Sequence, residues 1–192
     1  MSPKQDIPYV SRGGLKLAAA LESFDLDVTD FTCADLGCNT GGFTDCLLQR
    51  GAAKVFAVDT GYGALDWKLR NDPRVIVMER TNAMHVDPPE APIDLVTIDL
   101  AWTRQRHAVP AALRWQPKHI ITLIKPHYET DPAPTRRGIL TDDQAARTFD
   151  RVLAELPALH VRLIAHIPSP IRGGGGKSKT GNIEYLALLQ PL

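Results

Sequence analysis

The sequence predicts an α/β protein built on a doubly wound, mostly parallel seven-stranded sheet with an antiparallel last strand. Three observations lead there. Short β-branched apolar runs alternate with amphipathic stretches, the first run ends in a glycine turn, and charged residues close several later runs. At 192 residues the chain has room for one ordinary domain. It is read as a single domain over 1–192, with an N-terminal extension over 1–12 and a Gly/Pro-rich basic loop over 168–181.

GGLKLAAALESFDL places Leu15, Ala18, Ala19 and Leu21 on one side of a helix over 14–24. FTCADLG is a short buried strand ending at Gly37, and GGFTDCLLQRG is a helix closed by Gly51. KVFAVD is the next strand, and GALDWKLRND a short helix that stops before Pro73. RVIVMER, IDLVTIDL and HIITLIKP are three more strands; an acidic, proline-bearing segment at 87–92 and a helix over 107–115 lie among their connections. TDDQAARTFDRVLAEL opens with a threonine cap and acids in the first turn, which complement the helix dipole. LHVRLIAHI and NIEYLALLQ end the reading as a hairpin-like pair. A last strand reached without a crossover helix runs antiparallel.

Composition removes several classes of function. Lys plus Arg equals Asp plus Glu at 22 each, so overall charge argues neither for nor against a polyanionic partner, and RGGGGKSKT at 172–180 is a local basic element on a neutral chain. No run approaches the roughly 18 apolar residues of a membrane span, so no membrane partner is expected. MSPKQDIPYV carries no apolar signal core. Cys33, Cys38, Cys46 and the six histidines lack ligand spacing, so no metal is expected and a reducing cytoplasmic setting fits. RGGGGKSKTG imitates a phosphate loop, but Ile171 stands where the first glycine is required, and a strand follows where a helix is needed.

The turn Asp35-Leu36-Gly37-Cys38-Asn39-Thr40-Gly41-Gly42 is the richest local signal. Asn39 occupies the second glycine position of the dinucleotide fingerprint. What remains, D-x-G-x-x-x-G, sets an acid toward a ligand bearing a positive amine, and Asp59 at the end of the second strand is placed to accept from both hydroxyls of a ribose. The pair suits S-adenosylmethionine better than NAD; the alternative is a tight strand-to-helix turn capped by Asp35. Lys16 near the first helix, Asp99 after VTI, Lys125 after TLI and Glu184 at the start of the last strand are four further ionisable residues. At strand ends of an open sheet, side chains meet over the ligand crevice. His127, following Lys125-Pro126, is either a crevice residue or an ordinary loop histidine.

At this point the sequence resembles the TlyA group of FtsJ-like ribosomal RNA ribose methyltransferases. The resemblance runs through YVSRGGLKL (9–17), DLGCNTGGFTDCLLQRGA (35–52), VFAVDTGYGALDWKLRNDPRVIVMERTN (55–82), LIKPHYE (123–129) and GNIEYL (181–186). It implies a Rossmann-like class I methyltransferase fold, S-adenosylmethionine as cofactor, and transfer of methyl to a ribose 2′-OH, with ribosomal RNA or a ribosomal particle as partner. It also implies a catalytic tetrad of Lys16, Asp99, Lys125 and Glu184. Cofactor contacts are implied for Asp35, Gly37, Asn39, Thr40, Gly41, Gly42, Phe43, Asp59, Thr60, Asn82 and Asp99.

The family usually carries an N-terminal RNA-binding module, whereas this sequence starts almost directly at YVSRGG; RNA capture is then expected from the catalytic domain or from a partner protein. Leu100-Ala101-Trp102 stands where the family commonly has a small hydroxyl residue and an aromatic after the aspartate. Arg12, Arg172, Lys177 and Lys179 are the candidates for phosphate contacts, and Trp102 or Tyr128 for stacking on an unpaired base. Lys125 has two open roles, general base in its neutral form or cationic anchor for the developing oxyanion. Two rival functions stay open: the same cofactor serving another RNA or a small molecule, and a non-catalytic RNA- or partner-binding protein on the same scaffold.

Overall fold

The computed structural model describes residues 7–130, 139–173 and 181–192. The chain enters through α1 (Gly13–Ser23) and alternates through β1 (Thr32–Leu36), α2 (Gly42–Gln49), β2 (Lys54–Val58), α3 (Trp67–Arg70) and β3 (Val75–Met78). It continues with β4 (Leu95–Ile98), α4 (Gln105–Leu113), β5 (His119–Ile124), α5 (Pro126–Glu129) and α6 (Asp142–Glu155), a 3-10 turn at Leu156–Leu159, then β6 (Val161–Pro168) and β7 (Tyr185–Pro191). The sheet order is β3-β2-β1-β4-β5-β7-β6. All neighbours are parallel except those of β7, which runs antiparallel to both β5 and β6.

The two-residue period of the strands divides their side chains between two apolar layers. Cys33, Val55, Ala57, Leu95, Ile121 and Leu123 face α1 and α2, meeting Leu17, Leu21 and Leu47. Ala34, Leu36, Phe56, Val58, Val96, Ile98, Ile120 and Ile124 face the layer holding Val109, Ala112, Phe149 and Val152 of α4 and α6. Both sides of the sheet are covered, which is why the central strands read as continuous apolar runs. The reversal of strand order lies between β1 and β4, and the carboxyl ends of β1, β2, β4 and β5 share one edge above it. Because β7 is antiparallel and pairs Tyr185 with Ile124, its entering end comes to that same edge.

Several boundaries differ from the sequence reading for local reasons. The final run begins as a strand at Tyr185, so Glu184 precedes the strand; before it, Asn182 makes only an isolated bridge to Gly173, narrowing the predicted 168–181 loop. β5 stops at Ile124, and Pro126 opens the short α5, as expected of proline at a first helical position. α4 starts at Gln105 rather than 107 because Glu129 Oε1 accepts its N–H at 2.8 Å, a cap supplied from 24 residues away. Thr141 and Gln144 form a reciprocal capping box at the start of α6, where the threonine cap was expected.

Candidate functional site

The four ionisable residues singled out in the sequence meet along one cleft of about 490 Å3. They form two ion pairs. Lys16, on the first turn of α1, places Nζ 2.5 Å from Glu184 Oε2, with side chains only 11% and 4% exposed. Lys125, just past β5, places Nζ 2.5 Å from Asp99 Oδ1, just past β4, and also donates to the carbonyl of Leu100 at 3.1 Å. β4 and β5 are adjacent parallel strands, so residues one step beyond their ends are brought side by side. Lys125 has three N–H bonds and uses two of them here; the third is available to an oxygen in the cleft.

The glycine turn forms the floor. At Gly37, φ is +90°, and a Cβ would stand 2.7 Å from the carbonyl oxygen of Asp99, so only glycine lets β1 and β4 close this tightly. Gly37, Asn39, Thr40, Gly42 and Phe43 line the cleft. Asp35 does not. It is fully buried, Thr44 donates to Oδ2 through its N–H and hydroxyl, and Thr97 donates to Oδ1. Burial pushes its carboxyl up to about 6 against the opposing pull of those hydroxyls. The expectation that Asp35 contacts the cofactor is therefore corrected: its side chain points to the α2 side of the sheet and braces the turn from beneath. Gly41 is required on its own account. A Cβ there would run into Leu65 and Leu69 while φ is +100°, so its requirement comes from packing and backbone conformation.

A second cleft of about 570 Å3 adjoins the first through Gly37, Asn39, Asp99 and Ala101. Asp59, Thr60, Asn82 and Trp102 line it. Each carboxylate oxygen of Asp59 already accepts one backbone N–H, from Asn39 at 2.8 Å and Gly61 at 2.7 Å, which fixes its orientation. A carboxylate has about four acceptor sites, so Asp59 keeps capacity for a ribose diol. Ala83, Met84 and Leu100 supply an apolar wall for a flat heterocycle.

The rim carries the remaining candidates. Trp102 is 84% exposed and sits at φ +57°, a region costly for a bulky residue, with its ring 4.7 Å from that of Tyr128. Tyr128 lines the first cleft and Trp102 the second, so the ring contact spans the opening between them. Arg12 lines the first cleft. Arg172 lines it too, with its guanidinium in an exposed pair with both oxygens of Asp142 at 3.0 Å. Lys177 and Lys179 lie outside the described residues. Gly173, not singled out in the sequence, packs so closely on Glu184 that any Cβ would collide with the carboxylate. Among the described residues no His, Cys, Asp and Glu cluster suited to a metal is present.

This arrangement can be compared with known proteins. A streptococcal structure, a hemolysin candidate from Streptococcus thermophilus, superposes with a TM-score of 0.89 at 36% identity, covering all of this chain and 69% of its own. A candidate S-adenosylmethionine-dependent methyltransferase from Listeria monocytogenes shares only 14% identity, yet superposes with a TM-score of 0.64 over 95% of this chain and 100% of its own, which establishes the Rossmann-like fold. The 16S/23S rRNA (cytidine-2′-O)-methyltransferase TlyA of Mycobacterium tuberculosis is 39% identical over 188 residues, 95% of this chain and 68% of that protein. The FtsJ-like methyltransferase family profile matches residues 9–187, which takes in the glycine turn, both clefts and both ion pairs, and the chain belongs to that family.

Proposed function

We propose that this protein transfers methyl from S-adenosylmethionine to a ribose 2′-OH of ribosomal RNA. The observation that carries the reading is the convergence of the Lys125–Asp99 and Lys16–Glu184 pairs on the cleft beside the glycine turn. The residues fit the cofactor: Asp59 has acceptor capacity for the ribose, the apolar wall suits adenine, and the Gly37 turn leads into the first cleft. When bound, the cofactor supplies an electrophilic sulfonium methyl. The protein's part is to hold the 2′-oxygen in line behind that methyl, which supplies much of the acceleration.

Lys125 serves as the anchor, donating its remaining N–H to the attacking oxygen as negative charge develops. The cofactor would supply the methyl and depart as the neutral thioether; the hydroxyl proton would pass to water in the open cleft, while Asp99, 2.5 Å from Nζ, holds the Lys125 ammonium against the oxygen left behind. Lys16–Glu184 supports the acceptor side of the cleft. Trp102 or Tyr128 stacks on the unpaired target base, and Arg12 and Arg172 on the cleft, with Lys177 and Lys179, serve as the phosphate contacts. A ribosomal acceptor places the activity in the cytoplasm, with RNA capture by this rim or by a partner protein. Among the described residues no helix is long and apolar enough to cross a membrane.

The test is transfer of labelled methyl to total RNA from cells lacking the protein, followed by mapping of alkali-resistant linkages. A labelled 2′-O-methyl linkage that disappears with Lys125→Ala, at unchanged cofactor affinity, is the expected result. Cofactor binding without transfer to naked RNA, ribosomal subunits or ribosomes overturns the proposal.

A further inference from the structure

His127 lies at the second position of the four-residue α5 and takes part in neither ion pair. Its ring lines the first cleft, 4.1 Å from that of Tyr128. Nδ1 is buried and, among the described residues, has no hydrogen-bond partner. Nε2 is not among the buried atoms lacking a partner, so of the two ring nitrogens of this cleft-lining residue it is the one not sealed away from a ligand.

Burial, and after it the positive charges of Lys125 and Lys16, pushes this imidazole down to about 4. At neutral pH it therefore carries one N–H and one lone pair. A buried N–H without an acceptor is rarer in native structures than an under-satisfied acceptor. The proton accordingly belongs on Nε2, facing the cleft.

We propose that His127 binds the acceptor strand, its Nε2–H donating a hydrogen bond to a ribose or phosphate oxygen of the target nucleotide. The inference rests on the RNA 2′-O-methylation reading above and deepens it. Asp99 and Glu184 are engaged by Lys125 and Lys16, and a third cation at this point would compete for them. A neutral donor holds an oxygen without disturbing either pair. It also selects, because a substrate group that presents only N–H finds no acceptor at this edge.

The experiment compares wild type, His127→Leu and His127→Gln on ribosomal subunits from cells lacking the protein, with S-adenosylmethionine affinity measured in parallel. His127→Leu is expected to raise KM for the subunits about tenfold, the loss of one hydrogen bond, with kcat and cofactor affinity within about threefold of wild type. His127→Gln, which keeps an N–H donor of similar reach, is expected to recover most of that loss. An unchanged KM in His127→Leu, or a Gln variant as impaired as the Leu variant, overturns the assignment while leaving the methyltransferase reading intact. Absence of transfer by wild type overturns both. A leucine variant that no longer binds cofactor, with a glutamine variant behaving as wild type, shows a packing role and also overturns it.

Discussion

Lys16 and Glu184 are separated by 168 residues in the chain, and their charged atoms lie 2.5 Å apart with almost no solvent around them. Such a pair is costly to desolvate, and more costly to break, because the remaining charge is then buried alone. Its geometry depends on a residue that carries no side chain. Gly173 lies against the Glu184 carboxylate, held there by its bridge to Asn182. Gly173→Ala is expected to displace Glu184, lower stability by about 1–3 kcal/mol and reduce methyl transfer at least tenfold. Chemical denaturation and the transfer assay read the two effects, and a fully active, equally stable alanine variant would show that the carboxylate tolerates movement.

Asp99 lines both clefts, whereas Lys125 lines only the first. Substitutions at the two should therefore differ in kind. Lys125→Ala is expected to lower kcat by about 10²–10⁴-fold and leave cofactor affinity within about threefold. Asp99→Asn is expected to weaken cofactor binding as well as turnover. Calorimetric titration beside steady-state kinetics separates them; equal cofactor affinity in both variants would remove Asp99 from the cofactor side.

Asp35 gives a pH signature. Its folded carboxyl titrates near 6, above the ordinary value of about 3.9. Between about pH 4 and 6 the folded state holds a proton that the unfolded chain has released. Stability from this group therefore falls as pH rises through that window, by on the order of 3 kcal/mol, and levels off above it. Asp35→Asn can still accept from Thr44 and can donate to Thr97 once that hydroxyl turns. The variant is expected to lose the pH 4–6 slope while keeping cofactor affinity within a few fold, because the wild-type side chain is sealed off from the cleft. Denaturation midpoints across pH 4–8 check it, and a large loss of cofactor affinity would restore a direct contact.

Trp102 combines an exposed ring with a left-handed backbone. Trp102→Gly removes the ring and suits the backbone, so stability is expected to hold within about 1 kcal/mol. RNA affinity is expected to fall about tenfold, within the range for losing one stacking platform. Unchanged binding in a filter assay at fixed salt would assign RNA stacking elsewhere on the rim.

The alternation of strands and helices was legible because both faces of the sheet are covered, which writes each central strand as an apolar run. Asp99 and Lys125 stood out because they close two of those runs, and β4–β5 adjacency brings them together, whereas Lys16 and Glu184 were joined to them as a tetrad through the family resemblance. Asp35 was misread for a reason internal to sheets: alternate residues point to opposite faces, and the acid's hydroxyl partners, Thr44 and Thr97, lie 9 and 62 residues away. The grip of Asp142 on Arg172 and the Glu129 cap of α4 are likewise made across folded space. The signal for Gly173 was a glycine among glycines, and nothing in the string separates the one pressed against a carboxylate from its neighbours.

The placement of β7 between β5 and β6 has a consequence during synthesis. The strand that delivers Glu184 is inserted between two strands translated before it. At about 5–20 residues per second on a ribosome, roughly 10–30 s pass between the addition of Lys16 and that of Glu184. Throughout that interval Lys16 lacks its native partner carboxylate, and the slot beside β5 stands open. The nascent chain therefore holds this cleft unformed until the hairpin arrives, and the ion pair acts as the latch that closes the sheet.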